Sequence, residues 1–215
     1  MRKLIILFLI LSSCKKEVYY YPSEDFFEEY NPAEIIIDDL SFKEITDSIS
    51  NGLFRKEKYF LTLVDKNKEY RISPFTYTGG LIKEKNVLEI VDDSIYVYGN
   101  KVSLHQLNKR LKLHYENNGR EYSLPDSYNR AFIKLVLKPN DNQVKLEKLL
   151  LKVIRTFNET NIIDKDSIDL GIMFDYPLDF SKIPTPPPPV PLEINDWYRW
   201  IFEYLFENAL RIPVK

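Results

Sequence analysis

The chain contains a single cysteine, Cys14, in 215 residues. One thiol forms no internal disulfide and builds no cysteine-rich metal site. Histidine is nearly as scarce, with only His105 and His114. On the helix expected after Ser103 these two fall about 180° apart around the axis, so they share no metal and each is expected at a surface or boundary. Six glycines form no phosphate-binding loop, and no G-x-S-x-G nucleophile elbow occurs. The longest apolar run, Leu4–Leu11, has eight residues, far fewer than the roughly 20 that span a bilayer. Neither sign of charge dominates. With 30 basic and 32 acidic side chains the formal charge is −2, which gives no electrostatic case for a nucleic-acid partner.

The acidic residues supply no catalytic set. Asp38-Asp39 and Asp92-Asp93 are adjacent pairs, and neighbours in a strand or turn point apart, so solvated turns account for them. Asp164, Asp166 and Asp169 imitate the start of a calcium loop, but Asp169 stands at the sixth position, where an EF-hand needs glycine. The expectation is therefore a protein with no catalytic residues, no metal site and no cofactor.

The N-terminus is informative. Arg2 and Lys3 precede the apolar run, and Ser12-Ser13 lead into Cys14. A short positive start, an apolar stretch and small residues are the anatomy of a secretory signal, here residues 1–13, cut just before the cysteine. Leu11-Ser12-Ser13-Cys14 resembles the lipobox of bacterial lipoproteins. That resemblance implies that the Cys14 thiol takes a diacylglycerol, with palmitate among the acyl chains, and tethers the protein to a membrane. The expected location is the cell envelope, at the outer membrane in preference to the inner, with the soluble part extracytoplasmic. Cleavage would also remove Arg2 and Lys3, two positive charges, from a chain that is already slightly acidic.

The remainder is rich in aromatic residues, with 15 tyrosines and 13 phenylalanines to supply apolar surface for a core. Residues 14–33 read as a tether, with Tyr19–Tyr21, Phe26, Phe27 and Tyr30 numerous enough that part of it should dock on the folded body. Residues 34–85 read as a small α+β extension. Its helix is expected over Ala33–Ser50 on Ile36, Leu40, Ile45 and Ile49, stopped by Asn51-Gly52. A hairpin is expected from Lys58–Val64 to Tyr70–Ser73 across the polar loop Asp65–Lys68.

From Asn86 onward the pattern sharpens. Val87–Val91 and Ile95–Tyr98 read as strands, and Gly99-Asn100 as the turn into a helix capped by Ser103 with Gln106 completing a capping box. Leu104, Leu107 and Leu111 mark that helix's face, and Asn117-Asn118-Gly119 its end. Ala131–Leu137 reads as an apolar strand. Leu146, Leu149, Leu150, Val153, Ile154 and Phe157 then form a one-sided helical stripe. Ile168, Leu170, Ile172 and Phe174 alternate as a last strand, and this order suits a parallel crossover.

Six prolines between Pro184 and Pro191 predict a stiff polyproline II spacer over residues 179–192. An aromatic amphipathic helix is expected at residues 193–212. Asp196, Arg199, Glu203 and Glu207 fall on one narrow face, while Trp197, Trp200, Tyr204 and their aromatic neighbours fill the rest. A helix apolar over so much of its circumference is normally buried. Packing back on its own domain and anchoring a partner are both open, and in the second case Trp197, Trp200 and Tyr204 are the binding residues.

The fold class that follows is α+β. A two-layer sheet carries helices on one face, with a β-β-α-β-α-β core, an N-terminal α+β extension, and a C-terminal helix beyond the proline-rich spacer. The stretch Ile95-Tyr-Val-Tyr-Gly-Asn-Lys-Val-Ser-Leu-His-Gln-Leu107, with Phe132–Leu137, Lys138–Asp141, the leucine-rich helix and Ile168–Phe174, resembles the periplasmic domain of the ExbD/TolR biopolymer-transport family. The resemblance covers residues 86–178. Family members carry a transmembrane helix with an aspartate that takes part in proton-driven work, and the apolar stretch here has no acid and ends in Cys14. The resemblance then implies a non-catalytic binding or scaffold component, accessory to a TonB/Tol-type transport assembly. Its expected partners are the membrane through Cys14 and an envelope protein, with a homodimer also compatible. The alternative is a surface or periplasmic lipoprotein that binds a small ligand or glycan through exposed aromatics such as Tyr19–Tyr21, which requires a concave aromatic-lined pocket.

Overall fold

Residues 16–177 are described by the structure, a computed structural model. Cys14 and its signal, the proline-rich spacer, and the expected C-terminal helix with Trp197, Trp200 and Tyr204 lie outside the described residues.

The segment read as a tether folds as a strand and a helix. Strand β1, Glu17–Tyr21, pairs in parallel with β4, Lys68–Ile72, with Tyr19 opposite Tyr70 and Tyr21 opposite Ile72. Ser23 then caps the short helix α1, Glu24–Tyr30, its hydroxyl accepting from the Phe26 N–H at 3.4 Å. Glu24 and Asp25 in the first turn suit the positive end of the helix dipole. Asn31 closes it in the left-handed conformation, its N–H donating to Phe27 O.

The expected helix over Ala33–Ser50 is displaced. Ala33–Glu34 is a short strand, β2, parallel to β3, Tyr59–Asp65. Asp39 then turns left-handed at φ 62°, and helix α2 runs over Phe42–Phe54. Its start is set by a capping box in which the Ser41 hydroxyl accepts from Glu44 N–H and the Glu44 carboxylate accepts from Ser41 N–H. Gly52 does not stop the helix. It lies inside, where the Tyr59 ring occupies the space a Cβ would need.

The expected hairpin forms between β3 and β4, antiparallel, with Asp65 opposite Lys68 around Lys66-Asn67. These elements make a four-stranded sheet in the order β1-β4-β3-β2.

A six-stranded sheet follows, in the order β5-β10-β9-β6-β7-β8. Its strands are β5 Phe75–Thr76, β6 Val87–Val91, β7 Ser94–Val97, β8 Asn100–Ser103, β9 Phe132–Val136 and β10 Ile172–Asp175. The pairs β6–β9, β9–β10 and β10–β5 are parallel, while β6–β7 and β7–β8 are antiparallel hairpins. Strand β8 is additional to the expected order. Tyr98 and Gly99 both take positive φ, at 48° and 74°, the signature of a two-residue hairpin turn whose twist matches the strands. The chain therefore returns as a strand before any helix. Ser103 opens a 3-10 turn at Leu104–Gln106 instead of a capping box, its hydroxyl accepting from His105 N–H at 3.3 Å. Helix α3, Leu107–Glu116, comes next.

Helix α4, Gln143–Glu159, starts where the Asn142 side chain accepts from Lys145 N–H at 3.1 Å. All six residues of its expected stripe are buried. The last strand is shorter than the alternation suggested. Lys165–Ser167 is a 3-10 turn, so Ile168 and Leu170 are buried from a loop and only Ile172–Asp175 joins the sheet.

One face of the larger sheet is buried along its length, and on the other Met173 and Val136 are buried as well. Leu88, Ile90, Ile95, Ile133, Leu135, Ile172 and Phe174 point into the core, and Val87, Glu89, Tyr96, Phe132 and Lys134 on the alternate positions are half-exposed. Lys134 bridges Glu89 on that second face. Phe42 of α2 packs at a tilt against Phe174, and Tyr115 of α3 meets Phe157 of α4 edge to face, so the helices close over the buried side. Core residues of both sheets form one cluster. The class is α+β. No helix among the described residues is long and apolar enough to cross a membrane.

Candidate functional site

The residues expected to carry chemistry are dispersed. His105 is exposed, whereas His114 is fully buried, contrary to the surface or boundary place expected of it. Its face of α3 turns inward beneath β9, where Nε2 lies 3.2 Å from the Phe132 carbonyl. Burial holds its pKa down to about 4, the backbone bonds to Phe132 and Asn86 acting in the opposite sense. Nδ1 has no partner among the described residues. His114 is a neutral core group.

Asp92 and Asp93 form the β6–β7 turn and both border one cavity. Asp92 accepts from Lys145 Nζ at 2.8 Å, and the same ammonium reaches Asp141 at 2.7 Å. The Lys145 bond holds the Asp92 carboxyl below its usual range. This group pins the turn to the first turn of α4, and beside it a cavity of about 230 Å³ is bordered by Lys148 and Lys152. No group of three or more potential metal ligands occurs among the described residues.

A larger concave feature than this cavity lies elsewhere. A cleft of about 520 Å³ runs between β1 and the far end of α4, walled by the successive residues Tyr19–Glu24 on one side and by Phe157, Asn158, Lys165, Asp166, Ile168 and Asp169 on the other. Its size is within the range of ligand sites. Residues along a strand point alternately to opposite faces, so a wall made of consecutive residues is the strand's edge and not one of its faces. Among the described residues no strand pairs with that edge, because β1 is the outermost strand of its sheet.

No family model matches this chain, and neither a curated protein nor a solved structure matches it. The cleft has to be read from its own residues.

Its inner wall is fixed by polar contacts. The Tyr21 hydroxyl donates to Asn158 Oδ1 at 2.9 Å, and burial pushes that hydroxyl's pKa up to about 12. Lys165 Nζ donates to the Asn158 and Thr160 carbonyls at 2.7 and 3.4 Å, closing the C-terminal end of α4. Lys68 Nζ donates to the Tyr19 hydroxyl at 3.1 Å and stands 4.0 Å from Glu17. Glu24, Asp166 and Asp169 are exposed and make no side-chain bond or ion pair among the described residues. The two cations of the cleft are engaged, and its three carboxylates are not.

The tyrosine rings already have partners within the protein. Tyr19 lies 5.4 Å from Tyr70, with Lys68 over its ring at 4.9 Å. Tyr20 packs against Phe27 at 5.0 Å with the Arg71 guanidinium at 5.6 Å. Tyr21 is buried. The sequence singled out Tyr19–Tyr21 as aromatics. It gave no sign that Asn158, Lys165, Asp166 and Asp169 would face them, because ordinary polar residues after a helix carry no signature.

Proposed function

We propose that this chain is a lipid-anchored envelope protein that binds another protein without catalysing a reaction, and that it works as an accessory to a TonB/Tol-type transport assembly. The observation that carries the binding role is the cleft bounded by the edge of β1, which no strand among the described residues pairs with. An unpaired strand edge is a template for another chain, and natural proteins blunt or cover such edges unless they use them. The lipobox-like Leu11–Cys14 supports the membrane address. The run of strands and helices from Val87 to Asp175, with β8 additional, supports the kinship with a transport-assembly domain.

The glycan-binding alternative has the concave aromatic site it requires, but sugar recognition by stacking needs free ring faces. Tyr19 and Tyr20 are half-buried and already engaged by Tyr70, Lys68, Phe27 and Arg71. The protein-binding reading is favoured on that ground.

Photo-crosslinking in the native host tests it. A crosslinking amino acid at Ser23 or Asp169, inside the cleft, should give a discrete adduct with one envelope protein, and one at exposed Lys109 on α3 should not. A folded, membrane-bound protein that yields no protein adduct from either cleft position overturns the proposal.

A further inference from the structure

Two hydrogen bonds fix which way the backbone of β1 faces. Glu17 N–H donates to Asn67 O at 3.0 Å, and Ser73 N–H donates to Tyr21 O at 2.7 Å. The odd-numbered residues of β1 thus turn their peptide groups toward β4. Peptide groups alternate along an extended chain, so Val18 and Tyr20 turn their N–H and C=O outward. The five residues of β1 make a rail of about 16 Å at roughly 3.3 Å per residue.

The cleft is acidic by one charge, with Glu24, Asp166 and Asp169 against Lys68 and Lys165. Both ammonium groups turn donors to neutral oxygens, Lys165 to two carbonyls and Lys68 to the Tyr19 hydroxyl, and no cation pairs with the three carboxylates among the described residues. Exposed unpaired carboxylates around a polar groove favour a cationic occupant. Backbone donors and acceptors at strand spacing match a peptide and not a sugar ring.

We propose that the cleft takes an extended, lysine- or arginine-bearing segment of a protein, which adds as a strand along the outer edge of β1. This rests on the protein-binding reading above and specifies its chemistry. Main-chain bonds to Val18 and Tyr20 give the affinity common to strand addition. Glu24, Asp166 and Asp169 select for positive side chains.

The probe is a fluorescein-labelled hexapeptide of alternating valine and lysine, titrated into the full-length chain in non-ionic detergent and read by anisotropy. Saturable binding is expected, at least tenfold tighter than for the valine–glutamate counterpart. Tyr20→Pro removes the outward N–H without touching the bonds to β4, and proline is tolerated on edge strands in that orientation. It should weaken binding at least tenfold relative to Tyr20→Ala, which keeps the donor. Should Tyr20→Pro fail to fold, N-methylation of alternate residues of the peptide removes the complementary bonds, those from peptide N–H to the Val18 and Tyr20 carbonyls, and should also weaken binding at least tenfold. Glu24→Gln, Asp166→Asn and Asp169→Asn combined should abolish the preference for lysine over glutamate. Equal binding of the two peptides, full affinity after N-methylation, or preferential capture of a linear chito-oligosaccharide would overturn the proposal. A cross-linked protein partner alongside such a result would refute the strand chemistry alone, whereas peptide binding with no partner in cells would refute the functional reading.

Discussion

Tyr21 and Asn158 stand 137 positions apart in the chain and meet through a 2.9 Å hydrogen bond between a phenolic hydroxyl and an amide oxygen. The bond joins the last residue of β1 to the last turn of α4, so it ties the four-stranded sheet to the helix that covers the larger one. It also sets the width of the cleft, since both residues line it.

Removing the hydroxyl isolates that bond. Tyr21→Phe should lower stability by about 1 kcal/mol, the usual net worth of one part-buried hydrogen bond. Tyr21→Ala also empties the space beside Tyr70 and should cost roughly 3–5 kcal/mol. Urea unfolding followed by far-UV circular dichroism separates the two. An unchanged midpoint for Tyr21→Phe would mean that water replaces the tyrosine without loss.

Gly52 provides a test of sign. Glycine inside an ordinary helix costs roughly 0.8–1.0 kcal/mol relative to alanine, so Gly52→Ala ought to stabilise α2 on propensity alone. The Tyr59 ring fills the position of the new methyl group, and overpacking of this kind costs roughly 1–3 kcal/mol. Destabilisation is the expected outcome. The double variant Gly52→Ala with Tyr59→Ala should show alanine's ordinary helical advantage over Tyr59→Ala alone. Stabilisation by the single substitution would show that the ring moves aside freely.

The same two regions explain what could be read from the sequence. Helix α4 was legible because Leu146, Leu149, Leu150, Val153, Ile154 and Phe157 repeat at helical spacing and all face the core. The β3–β4 and β6–β7 hairpins were legible for a similar reason, since alternation and a polar turn are both local. Strand β1 was not. Its residues Val18–Tyr21 are apolar or aromatic without a break, so no alternation marks a face, and its partner β4 lies some fifty positions away in parallel. Ile36 and Leu40 imitated a helical repeat ahead of α2, but the turn at Asp39 intervenes and the Ser41–Glu44 box sets the true start. The cleft fared worst, because Asn158, Lys165, Asp166 and Asp169 acquire meaning only when the fold brings them to β1.

His114 should make stability depend on pH. An unfolded histidine titrates near 6.5, and burial holds this one at about 4. Between those values the unfolded chain binds a proton that the folded chain refuses. Stability is therefore complete above about pH 6.5 and declines as pH falls toward 4, by roughly 3 kcal/mol in all. His114→Leu should remove that decline, whatever it does to stability near neutrality. Between about pH 7.5 and 4.5 the difference in denaturation midpoint should shift steadily in favour of His114→Leu as the solution is acidified. Parallel curves would show that the imidazole gains access to water or a counter-charge before the protein unfolds.

The proposed membrane address depends on one atom, the Cys14 sulfur. If the thiol carries the lipid, Cys14→Ser should leave the rest of the chain folded and keep the modification off. Membrane attachment alone does not decide the matter, because an uncleaved apolar segment at Leu4–Leu11 can also hold a protein to a bilayer. The discriminating measurement is the intact mass of wild-type protein extracted from its own membranes. A mature chain beginning at Cys14 and heavier than its sequence by a diacylglycerol, with further mass for palmitate on the new amino group, is expected. A wild-type chain without a lipid adduct on Cys14 would remove the anchor. It would also remove the reason for placing the β1 cleft close to a membrane surface, where a tethered protein meets its neighbours at raised effective concentration.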